Sequence, residues 1–162
     1  MMLNIHLVHH HQDHSSLKIK GDIVTPDSPD YKTAIARWAS NAERNAKIVA
    51  FVKDADDVAD TLAFVRSTSP RLPIVIRGGS SSGASSAENG LVIDLSKYCN
   101  SVRIDPENKL AYVGGGALWA DVDRETIKYG LAGVSGTVNH TGVGGLTLGG
   151  GFGWLAAEHI FS

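Results

Sequence analysis

A single cysteine, Cys99, occurs in the 162 residues, so no disulfide can close within the chain. That fits a reducing compartment. Charge of neither sign is in excess, with 15 Lys and Arg against 17 Asp and Glu, a formal net charge of −2. Without a basic surplus there is no electrostatic footprint for nucleic acid or an acidic membrane surface. No run of 18 apolar residues exists outside one glycine-rich stretch. That stretch carries Asn139, His140 and three threonines, so no membrane span is expected. The N-terminus, MMLNIHLVHHHQDHSS, lacks the basic segment and long apolar core of a secretory signal, and a cytoplasmic location is the expectation. His9, His10, His11 and His14 read as a solvated His-rich tail, and no metal is expected. There is no internal repeat, no GK[ST] of a Walker loop and no GxGxxG.

What is present is enough for one globular domain with a core: 43% apolar and 20% charged residues. Residues 1–28 are expected to form a loose tail and residues 29–162 the domain. Ser28 is placed as the cap of a helix with Pro29 at its first position and Tyr31 to Trp38 as its body, Ile35 and Trp38 sharing a face. Lys47–Val52 (KIVAFV) is a strand. Asp54 then caps a helix running to about Arg66, with Asp56 and Asp57 in the first turn and Val58, Leu62 and Val65 as its buried stripe. Leu72–Ile76 (LPIVI) is a second buried strand, which makes a βαβ unit. Leu91–Leu95 is a further strand. Val102–Asp105 and Leu110–Val113 flank a PENK turn and predict an antiparallel hairpin. Ala117–Tyr129 is a helix with Leu118, Val122 and Ile127 for the core and Gly130 as its C-cap.

Two glycine-rich segments carry the functional signal. Residues 131–155 read LAGVSGTVNHTGVGGLTLGGGFGWL, with seven glycines between positions 142 and 153. Each glycine inside a helix or strand costs about 0.5–1 kcal/mol relative to alanine, so this density predicts neither element. It predicts a wall pressed against a large, flat or anionic ligand. The other segment, Arg77–Ser86 (RGGSSSGASS), follows a strand and is able to curl its N–H groups into a phosphate nest, with serine hydroxyls adding donors. The competing reading of this loop alone is a flexible Gly/Ser surface segment. A dinucleotide needs both a pyrophosphate cradle and a flat surface, and the two segments together supply both.

The stretches IRGGSSSGASSAENGLVIDLS, YVGGGALWADV and GLAGVSGTVNHTGVGGLTLGGGFGWL resemble, in order and spacing, the FAD-binding domain of the p-cresol methylhydroxylase and vanillyl-alcohol oxidase superfamily. The branch they resemble most is that of the berberine-bridge-like and hydroxynicotine-oxidase-like flavoproteins. The resemblance covers roughly residues 30–157. It implies an α+β fold of the PCMH type, with a small N-terminal βαβ part and a mixed or antiparallel sheet flanked by helices, incomplete at the C-terminus. It implies FAD as cofactor and oxidoreductase chemistry, with hydride passing from a substrate to flavin N5. By the same resemblance Arg77, Gly78, Gly79, Ser80, Ser81, Ser82 and Gly83 take the pyrophosphate. Gly136, Thr137, Thr141, Gly142, Gly144 and Gly145 contact the cofactor by backbone or hydroxyl. Gly149–Gly151 and Gly153 allow close packing of the wall.

The chain departs from the family in two ways. The family loop reads RGGGHN or RSGGHS, and its histidine often bonds the flavin covalently. Here Ser80–Ser82 stand in that place, and Val138 or Asn139 stands where bicovalent relatives carry a cysteine, so FAD is expected to be non-covalent. Family enzymes also continue well past the wall into a substrate domain, which implies a truncated chain with exposed apolar surface and no assigned catalytic base. A small-molecule substrate is then expected only if that domain is supplied elsewhere. Two rivals remain: a non-catalytic relic or nucleotide-binding module, and a phosphate or sugar-nucleotide binder using the serine loop alone. His140 reads as a structural loop histidine against a role facing the flavin, and Asp94 as a residue that holds the fold. Asp121, Asp123 and Glu125 read as a solvated helix face, and Tyr98 and Trp119 as packing residues.

Overall fold

A computed structural model describes residues 14–79, 82–155 and 157. The described residues begin in a short turn, His14–Ser16, and Leu17 is already buried in the core. Strand β1 (Asp22–Val24), helix α1 (Tyr31–Ile35), strand β2 (Ile48–Phe51), helix α2 (Ala55–Ser67), strand β3 (Ile74–Arg77) and strand β4 (Leu91–Asp94) follow. Then come the hairpin β5 (Val102–Asp105) and β6 (Leu110–Val113), helix α3 (Trp119–Thr126) and helix α4 (Val143–Leu148). The described residues therefore form an α+β fold. A mixed sheet runs in the order β1-β2-β4-β3, with β1 antiparallel and the other three parallel, and β5-β6 stands apart as an antiparallel pair.

The period-2 pattern of the central strands divides the core into two. Ile48, Ala50, Leu91 and Ile93 point to the face covered by Phe64 and Val65 of α2, while Val49 and Val92 point to the face covered by Ala34 and Ile35 of α1. Helix α2 starts as its sequence predicts: the Asp54 carboxylate accepts the Asp57 N–H at 3.1 Å. Its stripe is shifted, with Thr61, Phe64 and Val65 buried and Val58 and Leu62 half-buried. Asp57 faces inward, only 1% exposed, and its carboxylate accepts the N–H groups of Lys20 (2.7 Å), Gly21 (3.1 Å) and Lys53 (2.8 Å). This knot ties the N-terminal segment to α2. The boundary expected at residue 28 therefore does not divide loose chain from folded chain, because Leu17, Val24 and β1 belong to the fold. Of the His-rich tail, His9, His10 and His11 lie outside the described residues.

Several expectations are corrected. Helix α1 is capped at Asp30 and ends at Ile35 instead of running from a Ser28 cap to Trp38. Ser28 closes a turn, its hydroxyl accepting the Thr25 N–H at 3.0 Å. The Arg37 guanidinium donates to the carbonyls of Ile35 and Ala36 at 2.9 Å each, oxygens that a longer helix would have used itself, and Trp38 stands 72% exposed. The second strand of the expected βαβ unit is an edge strand, with Ile76 62% exposed, because β4 inserts between β2 and β3. Ile127 lies outside the core: α3 gives way to a tighter turn at Ile127–Tyr129 before Gly130 ends it at φ 66°. The glycine wall, expected to hold no helix, coils as α4, whose Gly144 packs closely on the Gly115 carbonyl. Leu148, Phe152 and Trp154 near that helix are exposed. Among the described residues no helix is long and apolar enough to cross a membrane.

Candidate functional site

The C-terminal end of β3 delivers Arg77. Its guanidinium donates to the Ala34 carbonyl at 2.8 Å and pairs at 3.1 Å with Asp94 at the end of β4, whose carboxylate is completely buried. The other Asp94 oxygen accepts the Ser96 N–H (2.8 Å) and hydroxyl (2.6 Å). A charge so buried is tolerated only when paired and hydrogen-bonded, and Asp94 is both.

Beside Arg77 sits Arg37, 8% exposed. Among the described residues the hydrogen bonds of its guanidinium end on neutral oxygens, the carbonyls of Ala34, Ile35 and Ala36 and both the hydroxyl and the carbonyl of Ser85, while its backbone N–H donates to the Glu43 carboxylate at 3.4 Å. It thus clips the segment after α1 to the turn Gly83–Ser85 of the Gly/Ser loop. Burial, and then the neighbouring Arg77 charge, push its pKa down to about 10, still high enough to keep it cationic at neutral pH. Two guanidiniums thus stand side by side here, with the Asp94 carboxylate on Arg77, Glu43 close to Arg37, and Asp121 lining the same cleft.

The loop itself is built from its own serines. The Ser82 hydroxyl accepts the Ala84 N–H at 3.1 Å, and Ser85 donates to the Ser82 carbonyl at 2.6 Å. Ser80 and Ser81 lie outside the described residues. Gly78 and Gly79 run directly against the glycine-rich segment. A Cβ on Gly79 would stand 2.4 Å from the Gly142 nitrogen, and one on Gly142 would stand 2.3 Å from the Gly79 nitrogen. Gly78 and Gly144 both press on the Gly115 carbonyl. Gly78 and Gly79, Gly115, and Gly142 and Gly144, distant in sequence, thus meet backbone to backbone, and no side chain fits at the crossing. Gly145 differs: a Cβ there meets nothing within 4 Å.

Two clefts flank this crossing and share Gly78 and Gly79. One, ≈ 470 Å³, is lined by Arg37, Trp38, Arg77, Leu118 and His140. The other, ≈ 330 Å³, is lined by Ser82, Thr141, Gly142 and Gly145. Of the residues expected to bind a ligand, Arg77, Gly78, Gly79, Ser82, Thr141, Gly142 and Gly145 thus converge. Gly83 and Thr137 are exposed outside both clefts, Gly144 supports the crossing, and Gly136 lies against Leu146 and the Trp119 indole. Sequence reasoning missed Arg37 and Trp38 as cleft residues. Nothing local distinguishes them, because their roles depend on Ser85 and His140, which are far along the chain. The ring of His140 stacks on Trp38, centroids 5.9 Å apart and planes 18° from parallel. Of the acidic residues of α3, Asp123 is exposed as expected and Glu125 pairs with Lys128, whereas Asp121 is half-buried, accepts the Leu118 N–H, pairs with Arg124 and lines the ≈ 470 Å³ cleft.

Comparison with known proteins gives a consistent result. Residues 46–160 match the model of a family described as FAD binding domain. The FAD-linked oxidoreductase YgaK of Bacillus subtilis is 40% identical over 140 residues, 85% of this chain and 30% of that protein. (R)-6-hydroxynicotine oxidase of Paenarthrobacter nicotinovorans is 29% identical over 143 residues, 88% of this chain and 31% of that one. Among solved structures, 6-hydroxy-D-nicotine oxidase from Arthrobacter nicotinovorans superposes with a TM-score of 0.83 at 30% identity, over 88% of this chain and 31% of that one. The chain therefore spans about 30% of the length of these relatives.

Proposed function

The chain belongs to the FAD binding domain family, and from that membership we propose that its crossed glycine loops cradle the pyrophosphate of FAD for an oxidoreductase of the berberine-bridge-like type. FAD is the cofactor of this domain. The observation that carries the pyrophosphate reading is the crossing of Gly78–Gly79 with Gly142 beside the Arg37 and Arg77 guanidiniums. A doubly anionic group needs closely approaching N–H donors and cationic partners; the glycines line both clefts and the two guanidiniums line one of them. The residues present fit the cofactor.

In this reading Arg77 and Arg37 supply the charge, and Asp94 fixes Arg77 without cancelling the pair. Arg77, Gly78, Gly79 and Ser82 are the described residues assigned to the phosphate side, to which the sequence resemblance adds Ser80, Ser81 and Gly83. Thr141, Gly142 and Gly145 are assigned to the opposite wall, with Gly144 and Gly136 packed behind it and Gly145 leaving room for direct approach. FAD, when bound, supplies a hydride acceptor at flavin N5. The chain orients that cofactor, and no residue here is assigned as base. We assign non-covalent attachment, since serines occupy the loop position and Val138 or Asn139 the second one. A small-molecule substrate would be met by residues outside this chain, since the relatives are far longer.

The test is a titration of the 162-residue chain with FAD and riboflavin, followed by flavin fluorescence. The pyrophosphate cradle predicts saturable FAD binding well above that of riboflavin, with all flavin released by acid precipitation. Equal affinity for both ligands would refute the cradle. Flavin kept in the precipitate would refute non-covalent attachment.

A further inference from the structure

Trp38 and His140 form a ring pair that the cradle reading does not use. The indole stands 72% exposed, and the imidazole lies nearly parallel to it at 5.9 Å between centroids. Both residues line the ≈ 470 Å³ cleft, and they come from distant parts of the chain, Trp38 from the segment after α1 and His140 from the glycine-rich segment. Both are held by firmly anchored backbone. Arg37, the residue before Trp38, is buried with five oxygens about its guanidinium. The carbonyls flanking His140, those of Asn139 and Thr141, accept the N–H groups of Ala120 (2.7 Å) and Trp119 (3.1 Å). An exposed tryptophan on a fixed backbone, lining the same cleft as Arg37 and Arg77, is placed for a flat ring joined to an anion that the two arginines would hold.

We propose that Trp38, paired with His140, is a stacking subsite for a planar heteroaromatic ring of the bound cofactor. This rests on the FAD reading above and extends it to one end of the dinucleotide. The same cleft is lined by the cationic and glycine groups for phosphate (Arg77, Gly78, Gly79) and by the ring pair. A ring held between two others needs about 7–8 Å from plane to plane, two contact distances of about 3.5–4 Å. The present 5.9 Å centroid separation therefore requires an opening on the order of 1–2 Å. Stacking on the outer face of the indole requires no opening at all. Stacking tolerates different rings, since each presents a π-face.

The experiment compares wild type with Trp38→Ala and Trp38→Phe, titrated with FAD, FMN and ADP. Tryptophan emission and flavin fluorescence report binding, and thermal unfolding of each apo protein reports the fold. Loss of the indole should weaken FAD about 5- to 100-fold, the range seen when a stacking aromatic is removed. It should also abolish most of the ligand-dependent quenching of tryptophan emission. Trp38→Phe should keep near-wild-type affinity, because a phenyl ring still stacks. A loss seen with ADP assigns the adenine to this subsite, and a loss seen with FMN assigns the isoalloxazine. Unchanged FAD affinity in Trp38→Ala, or equal losses in the Ala and Phe variants, overturns the subsite and leaves FAD binding standing. No FAD binding by wild type overturns both.

Discussion

Gly145 separates what a glycine does for the fold from what it does for a ligand. It occupies an interior position of α4 (Val143–Leu148), and a Cβ there meets nothing within 4 Å. On helix propensity alone, Gly145→Ala should stabilise the chain by about 0.5–1 kcal/mol. In a domain of this size that is a rise in Tm of about 1–4 °C. The same methyl would project into the ≈ 330 Å³ cleft shared with Gly79, Thr141 and Gly142. If the cofactor backbone approaches there, one inserted methyl costs about 1–3 kcal/mol of binding, roughly a 5- to 150-fold weaker Kd for FAD. The two effects have opposite signs in one variant. Differential scanning calorimetry of apo protein gives the first, and a flavin-fluorescence titration gives the second. A rise in Tm with unchanged FAD affinity would refute Gly145 as a ligand-approach position. A fall in Tm would refute the reading of its surroundings as open.

Gly79→Ala should behave in the opposite way in the fold: its Cβ would lie 2.4 Å from the Gly142 nitrogen, so the crossing must open, at a cost of about 1–3 kcal/mol in urea denaturation together with weakened FAD binding. Asp94→Asn leaves the Arg77 guanidinium without its buried partner, and equilibrium unfolding should register a loss of about 3–5 kcal/mol; a loss under 1 kcal/mol would mean that solvent reaches the pair. Asp22 is held below the ordinary aspartate range, first by its hydrogen bond from Lys97 and then by that from Tyr98. A lowered folded pKa gives stability that is complete above the unfolded pKa, about 3.9, and lost as pH falls through the folded one. Asp22→Asn should therefore be less stable than wild type at neutral pH, the gap closing in acid; a gap independent of pH down to the lowest folded range would count against the assignment.

Local chemistry was legible along the chain. The Asp54 cap, the apolar runs of β2 and β4, the hairpin around residues 106–109 and Gly130 each depend on neighbours within a few positions, and each formed as expected. The order and spacing of the three stretches around residues 76–96, 112–122 and 130–155 sufficed for the family and for FAD. Tertiary structure decided the rest, because pairing across the sheet and burial of a charge depend on partners dozens of residues away. β4 took the centre and sent β3 to the edge. Asp57 turned from a helix-end charge into a buried acceptor for three N–H groups. Arg37, read as part of a helix, ended that helix by binding its carbonyls and reached Ser85 instead, which left Trp38 in solvent beside His140. The sequence by itself determined where glycines were required. Only the folded chain decided that Gly79 and Gly142 are needed by each other, since their backbones touch, while Gly145 is left open.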